Sequence, residues 1–184
     1  MQLHLKTKEI AWGGMLMALA VILIVLSGVI EASSMFLLAA AAFLAGIFQR
    51  RFKTRAGAAF VAGTFLAGLI LAPQKLYCFT FAGFAVYVLV AEYLRGRKTS
   101  FVAGMFIKGL CYHILLVIAL VMVKYFIGFE ALFQEGWIDK LAGVPLLFVA
   151  AIIAAAEILW IVFDRAYIYF QDRYGDIFGR WLDA

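Results

Sequence analysis

Apolar residues dominate this chain to a degree that excludes a water-soluble fold. Of its 184 residues, 67% are hydrophobic and only 15% are charged. A soluble domain of this length has too little interior to hide that much apolar surface. Alternation with a period of two residues, which marks a membrane β-strand, is absent. The sequence therefore predicts an all-α integral membrane protein with a single domain over 1–184.

Six apolar runs, separated by short polar or basic breaks, define the predicted topology. Each is treated as a membrane span, and the spans lie at about 9–30, 35–48, 56–71, 77–93, 100–125 and 142–164. Two further segments carry aromatic and charged residues at helical spacing, 126–141 and 166–182. They are predicted to be amphipathic helices at the outer and inner membrane surfaces. Aromatic anchoring explains both, and the alternatives are a substrate lid outside and a partner-docking surface inside.

The distribution of basic residues predicts the orientation. The densest positive runs, 49–55 and 94–98, fall on the same side as the basic N-terminal lead. Cytoplasmic loops carry the excess of Lys and Arg, so both termini are predicted to be cytoplasmic. The net charge of +5 does not indicate nucleic-acid binding, because the positive residues lie in short loops between apolar spans.

A polar turn joins the two halves of the chain and faces outward in this topology. Pro73 removes a backbone donor and ends the preceding helix. Lys75 places a cation outside, against the charge bias. Together with Glu31, Gln74 and Tyr77 it collects at the outer ends of spans 1, 3 and 4. Such groups could bind a polar or anionic molecule from outside, or they could only cap helix ends in water.

Ionisable residues inside the spans are costly and therefore informative. Lys108 in span 5 and Glu157 in span 6 lie at similar depth and are predicted to form an intramembrane ion pair. A transport role for the two residues, or snorkelling of the lysine to the inner surface, is the alternative. His113 lies near mid-span on another face and either bonds to a neighbouring helix or serves as a ligand. Glu92 and Asp164 are predicted to be interfacial.

The sequence offers no sign of catalytic or metal chemistry. Neither histidine has a second ligand at helical spacing, and no hydrolase, metalloprotease or P-loop motif occurs. Cys78 and Cys111 fall inside spans and suggest neither a disulfide nor a metal site. We expect no enzyme activity, metal or cofactor, and any work that requires energy must draw on a partner protein.

Small residues four apart line one face of each of the first three spans. The pair Gly14 and Ala18 lies in span 1, and similar sets follow in spans 2 and 3. Such faces let helix backbones approach closely. Most of these faces are expected to pack within the bundle, and a subset is expected to face another membrane protein.

The chain resembles the substrate-binding S component of an energy-coupling-factor (ECF) transporter. The resemblance covers the whole chain. It is carried by six spans in a small protein, by the opening Lys8-Glu9-Ile10-Ala11-Trp12-Gly13-Gly14 and by the turn Pro73-Gln74-Lys75. It implies a subunit of a bacterial or archaeal cell membrane that captures a vitamin or related micronutrient outside. The ECF T subunit and two ATPases supply the energy.

The resemblance also suggests where such a protein meets its cargo and its partner. An AxxxA-like face on span 1 contacts the T subunit in this family, and Gly14 and Ala18 are the nearest match, with glycine in place of the first alanine. The expected substrate pocket comprises Glu31, Gln74, Lys75, Tyr77, His113 and Trp137. Phe133 and Trp137 would form a lid over it.

Two readings from other functional classes remain. The first is a non-transport membrane scaffold or envelope-assembly factor, indicated by the aromatic C-terminal helix and the lack of a rich polar pocket. The second is an intramembrane enzyme, which is disfavoured because no nucleophile–base pair is visible. A small molecule retained after gentle purification would favour the transport reading.

Overall fold

Long helices make up the computed structural model, which describes residues 7–97, 99–126 and 146–183. A short 3-10 turn, Glu31–Ser33, follows the first helix. The helices are α1 (Thr7–Ser27), α2 (Ser34–Leu71), α3 (Lys75–Gly96), α4 (Phe101–Phe126) and α5 (Leu146–Asp183). Within these residues no strand is present, so the predicted all-α class is confirmed.

Four stretches in the described part of the chain are long and apolar enough to cross a membrane. They are Ile10–Ser27, Glu31–Leu71, Lys75–Gly96 and Phe101–Met122. An apolar helix of about 20 residues matches the roughly 30 Å thickness of bilayer hydrocarbon. A multi-pass membrane protein therefore agrees with the observed helices.

The helix α2 contains both the second and the third predicted span. Its backbone leaves the helical conformation at Lys53, with φ 73° and ψ 166°. The rings of Phe48 and Phe60 stack with centroids 5.1 Å apart across this break. In a straight helix, residues twelve apart would be separated by about 18 Å. The two halves of α2 therefore fold back against each other, and a break at one residue replaces the predicted loop over 49–55.

Lys53 has a backbone conformation that favours glycine, which gives a test of the hairpin. We expect Lys53→Gly to raise the free energy of unfolding by about 1–2 kcal/mol, because a side chain at this φ is strained. Arg55→Gly, in the regular helix two residues on, is the matched control and should lower stability by about 1 kcal/mol. Thermal unfolding in lipid nanodiscs measures both. Equal losses for the two variants would show that Lys53 is an ordinary helical residue.

The turn at Pro73 has the predicted form. The helix α2 ends at Leu71, and Ala72 is extended, with φ −74° and ψ 136°. Pro73 packs on the end of α1, since a Cβ added to Gly28 would lie 2.8 Å from its Cγ. The turn is therefore held against the bundle and not merely placed between two helices.

The core of the bundle lies between α1, both halves of α2 and α3. The middle of α5, around Tyr167, packs against it on one side. Its members are mostly alanine and large aliphatic or aromatic side chains, including Leu16, Ile24, Leu38, Phe43, Phe60, Phe81, Val88 and Tyr167. By contrast, α4 exposes apolar side chains along most of its length, among them Phe106, Leu110, Ile114, Val117 and Val121. In a bilayer such a surface contacts lipid or another membrane helix.

The last helix differs from the prediction. The segments 142–164 and 166–182 were predicted to be a span and a separate interfacial helix, whereas α5 runs without interruption from Leu146 to Asp183. No proline or glycine occurs in α5 before Gly175, so nothing in the sequence stops the helix at 165. Tyr167 is buried in the core of the bundle. The other predicted interfacial helix lies outside the described residues, except for Phe126.

Candidate functional site

Five side chains on one face of α5 carry most of the polar contacts between helices. We call this set the polar ladder, and it comprises Glu157, Trp160, Asp164, Tyr167 and Gln171. Their spacing of three and four residues places them above one another on the helix. They contact α2, α3 and α4, so the ladder joins the last helix to the rest of the bundle.

The rung nearest the C-terminus contains a buried carboxylate. Arg50 from α2 donates to both oxygens of Glu92 on α3, at 2.8 and 3.2 Å. Tyr167 donates to the same carboxylate at 2.8 Å. The Tyr167 hydroxyl is thus a third donor to Glu92. Gln171 extends the rung by donating to the carbonyl of Phe43 at 3.1 Å.

The middle rung centres on Asp164. Lys108 on α4 donates to both of its oxygens, at 2.8 and 3.0 Å. Tyr87 on α3 donates to Oδ1 at 2.8 Å, and Trp160 in turn donates to the tyrosine oxygen at 2.9 Å. The side chain of Asp164 is only 4% exposed and that of Lys108 14%, so the pair is largely enclosed by other protein groups.

The third rung pairs a histidine with a glutamate. His113 Nε2 on α4 lies 2.9 Å from Glu157 Oε1, and its Nδ1 lies 2.8 Å from the carbonyl oxygen of Gly109. One residue earlier, Tyr112 donates to the carbonyl of Ala156 at 3.0 Å. This rung is more open than the other two, because the two paired side chains are 55% and 34% exposed.

The predicted ion pair between Lys108 and Glu157 is wrong. Lys108 pairs with Asp164, and Glu157 pairs with His113. Asp164 lies seven residues, or about 10 Å, along α5 from Glu157, so one lysine cannot be level with both carboxylates. The prediction counted depth from a helix end at 164. Because α5 continues far beyond residue 164, Asp164 lies in the middle of the helix. The pairing of α4 with α5 is therefore shifted by about two helical turns from the predicted pairing.

Glu92, which was predicted to be interfacial, is buried between α2, α3 and α5. The helix α3 continues to Gly96, and Glu92 is only 7% exposed. The useful sequence signal was the three- and four-residue spacing of polar side chains from Glu157 to Gln171, which continues across the supposed end of the span.

A cleft opens between the C-terminal end of α3, the start of α4 and the middle of α5. Its volume is about 210 Å³. Its charged lining residues are Glu92, Arg95, Lys108, Asp164 and Arg165. Each of the two carboxylates already bonds to one cation and one tyrosine, so the cleft continues the two buried rungs outward.

The residues predicted to form an outer substrate pocket are only partly brought together. Glu31, Gln74 and Lys75 are exposed at the turns between helices, and Tyr77 is half-buried. The Lys75 ammonium donates to the carbonyl of Ala72 at 2.9 Å, so it closes its own turn.

His113 does not belong to this outer group. Tyr87 and Lys108 both bond to Asp164, so these three residues lie at one level of the bundle. That level is twelve residues, or about 18 Å, along α3 from Lys75. His113 is only five residues further along α4, and its described contacts are with α4 and α5. Trp137 and Phe133 lie outside the described residues.

The predicted partner-docking residues lie on the outer surface of α1. Gly14 and Ala18 are both exposed, and a Cβ added to Gly14 would meet nothing within 4 Å. The preceding glycine behaves differently, since a Cβ on Gly13 would lie 3.2 Å from the ring of Phe48. Gly13 is thus needed for packing inside the bundle, whereas internal packing does not explain Gly14.

Across the residues that the structure describes, no group of three or more His, Cys, Asp or Glu side chains could hold a metal ion. Cys78 is buried and Cys111 half-buried, and both are free thiols. No protein-family model matches the sequence, and comparisons with curated proteins and with solved structures find no match.

Proposed function

We propose that this chain is the substrate-capturing subunit of an ECF-type importer for a vitamin or related micronutrient. In this proposal it crosses a bacterial or archaeal cell membrane six times, with both termini cytoplasmic. A T subunit and two ATPases supply the energy. The observation that carries the proposal is the position of Gly14 and Ala18 on the outward face of α1, where the resemblance places the contact with the T subunit.

A small-residue surface on an apolar helix suits contact with another membrane helix. Ile10, Met15 and Leu19 are exposed beside Gly14 and Ala18, so the small residues form a shallow depression between large side chains. Helices in lipid associate through close van der Waals packing, because lipid tails are as apolar as the side chains. A second helix could approach the α1 backbone at this depression.

Cargo capture in this proposal uses the polar groups at the outer turns. The exposed Glu31 and Gln74 offer one carboxylate and one amide, and Lys75 keeps donor hydrogens beyond its bond to Ala72. These groups would orient a small polar molecule, and neighbouring apolar surface would enclose it.

Ligand-dependent stability tests the proposed function directly. The full-length protein in nanodiscs is heated with pools of vitamins and related heterocycles, and native mass spectrometry identifies any retained molecule. A ligand at one hundred times its Kd should stabilise the protein by about 2.7 kcal/mol. Lys75→Ala should reduce this gain without changing the ligand-free melting temperature, because an exposed turn lysine contributes little stability. If no pool stabilises the protein, it is not a capture subunit for this class of molecule.

The docking face is tested by two neighbouring glycines. Gly14→Leu should leave the melting temperature nearly unchanged but abolish assembly with a T subunit and ATPases encoded beside this gene, because leucine fills the depression. Gly13→Leu is the contrasting variant and should destabilise the protein itself by about 1–3 kcal/mol through overpacking against Phe48. Assembly is measured by co-purification of the named subunits. Normal assembly of Gly14→Leu would remove this face as the docking site.

The second candidate is a membrane scaffold or envelope-assembly factor. The observation that favours it is the polar ladder, whose two carboxylates, Glu157 and Asp164, are both bonded within the bundle, as expected for a rigid framework. Depletion of a scaffold should alter cell shape without changing uptake of any vitamin. Depletion of a capture subunit should create a nutritional requirement in cells of normal shape.

A further inference from the structure

We infer that His113 and Glu157 form a proton-binding site between α4 and α5, in which one proton is shared by His113 Nε2 and Glu157 Oε1. The inference is independent of the proposed transport function, because it rests on the third rung of the polar ladder alone. Its ligand is the hydrogen ion, and the contact between the two helices forms with uptake of that proton.

Hydrogen-bond accounting leads to this assignment. His113 Nδ1 lies 2.8 Å from the carbonyl oxygen of Gly109, which can only accept, so Nδ1 must carry a hydrogen. A neutral imidazole with hydrogen on Nδ1 presents a lone pair at Nε2. That atom lies 2.9 Å from Glu157 Oε1, and an ionised carboxylate is also only an acceptor. Two acceptors at this distance require a hydrogen between them, either on the imidazole or on the carboxyl group.

The two buried carboxylates, Glu92 and Asp164, have no such requirement. Glu92 is balanced by Arg50, and Asp164 by Lys108. Both partners bring several N–H donors, and further donors come from tyrosines. Glu157 alone among these three is paired with an imidazole, whose facing nitrogen carries a hydrogen in only some of its forms.

Neighbouring titratable groups do not replace the shared proton. Lys108 donates to Asp164, and the Tyr112 hydroxyl donates to the carbonyl of Ala156. The titratable or charged side chains near the pair on α4, α5 and α3 are Lys108, Cys111, Tyr112, Asp164 and Tyr87. None of their described contacts offers a positive charge to Glu157.

Loss of the proton would break the contact. A carboxylate facing the lone pair of a neutral imidazole is repelled, and an unpaired carboxylate at membrane depth is costly. Unless the hydrogen moves from Nδ1 to Nε2, which gives up the bond to the Gly109 carbonyl, the third rung of α4 and α5 must then separate or take the proton back. Formation of the His113–Glu157 contact is thus linked to uptake of one proton. In the pH range where the separated side chains hold no such proton, each further pH unit makes formation of the contact tenfold less favourable.

The proton itself is observed without altering the site. The chain has two histidines, so His4→Ala leaves His113 as the only labelled imidazole. In nanodiscs at neutral pH, nitrogen NMR should show hydrogen on both ring nitrogens, or infrared spectroscopy should show a protonated carboxyl band that Glu157→Gln removes. Either result supports the site. A neutral imidazole together with an ionised Glu157 would overturn the inference.

The linkage is tested by comparing stability against pH for wild type and Glu157→Gln. Glutamine keeps the shape and can donate to a neutral imidazole, so it needs no added proton. Wild type should lose stability as the pH rises from 6 to 9, with up to a tenfold fall in the folding constant per pH unit. Glu157→Gln should be flat by comparison. Equal slopes for wild type and Glu157→Gln would overturn the linkage.

Discussion

Replacing Lys108 with methionine is expected to destabilise the protein by about 3–5 kcal/mol, because it leaves Asp164 buried without its cation. Asp164 is 4% exposed, and the lysine binds both of its oxygens. Methionine keeps most of the apolar contacts of the lysine stem, so the loss reports on the charge. The Tyr87 hydroxyl remains as one donor to Asp164 but carries no charge.

Double substitution identifies the partner of Lys108. Adding Asp164→Asn to Lys108→Met should recover part of the loss, because no unpaired charge then remains. Adding Glu157→Gln instead should give additive losses, since Glu157 pairs with His113 one rung further along. Unfolding in mixed detergent gives the four free energies of each cycle. Coupling of Lys108 to Glu157 and not to Asp164 would contradict the observed register.

Local sequence signals predicted the fold well where each acts within one turn of helix. The apolar runs gave the helices, and Pro73 ended α2 at the expected place because its ring and missing donor act locally. The hairpin at Lys53 was predicted only as a basic loop, since a break confined to one non-glycine residue has no signature in composition. The length of α5 was missed because charged residues near 165 were taken to mark a membrane boundary.

The polar site was predicted less well because it depends on register between helices distant in sequence. Lys108 and Glu157 were both predicted to need a partner inside the membrane. Lys108 does pair with a carboxylate, and Glu157 does pair with a basic side chain. Which carboxylate meets which base depends on where α4 and α5 cross. That crossing is set by packing, such as the contact of Gly109 with the Trp160 ring, and not by counting from helix ends.

The second large effect is expected at Gly46, where α2 passes the polar ladder. The nearest atom to a Cβ added here would be the hydroxyl oxygen of Tyr167, and Gln171 Nε2 and Val88 Cγ1 would lie 2.7 and 2.8 Å away. Even Gly46→Ala must therefore push α5 outward and weaken the bond from Tyr167 to Glu92. Overpacking costs about 1–3 kcal/mol, and a buried donor or acceptor left unpaired costs a similar amount.

We therefore expect Gly46→Ala to lower the free energy of unfolding by about 3–5 kcal/mol, against the usual gain when alanine replaces a helical glycine. Gly83→Ala on α3 is the matched control, because an added Cβ there meets nothing within 4 Å, and it should be neutral or stabilising by up to about 1 kcal/mol. Tyr167→Phe combined with Gly46→Ala should recover part of the loss, since the nearest obstructing atom is gone. Thermal unfolding of the four proteins decides the matter: if both glycines tolerate alanine equally, α5 does not pack against α2 at this level.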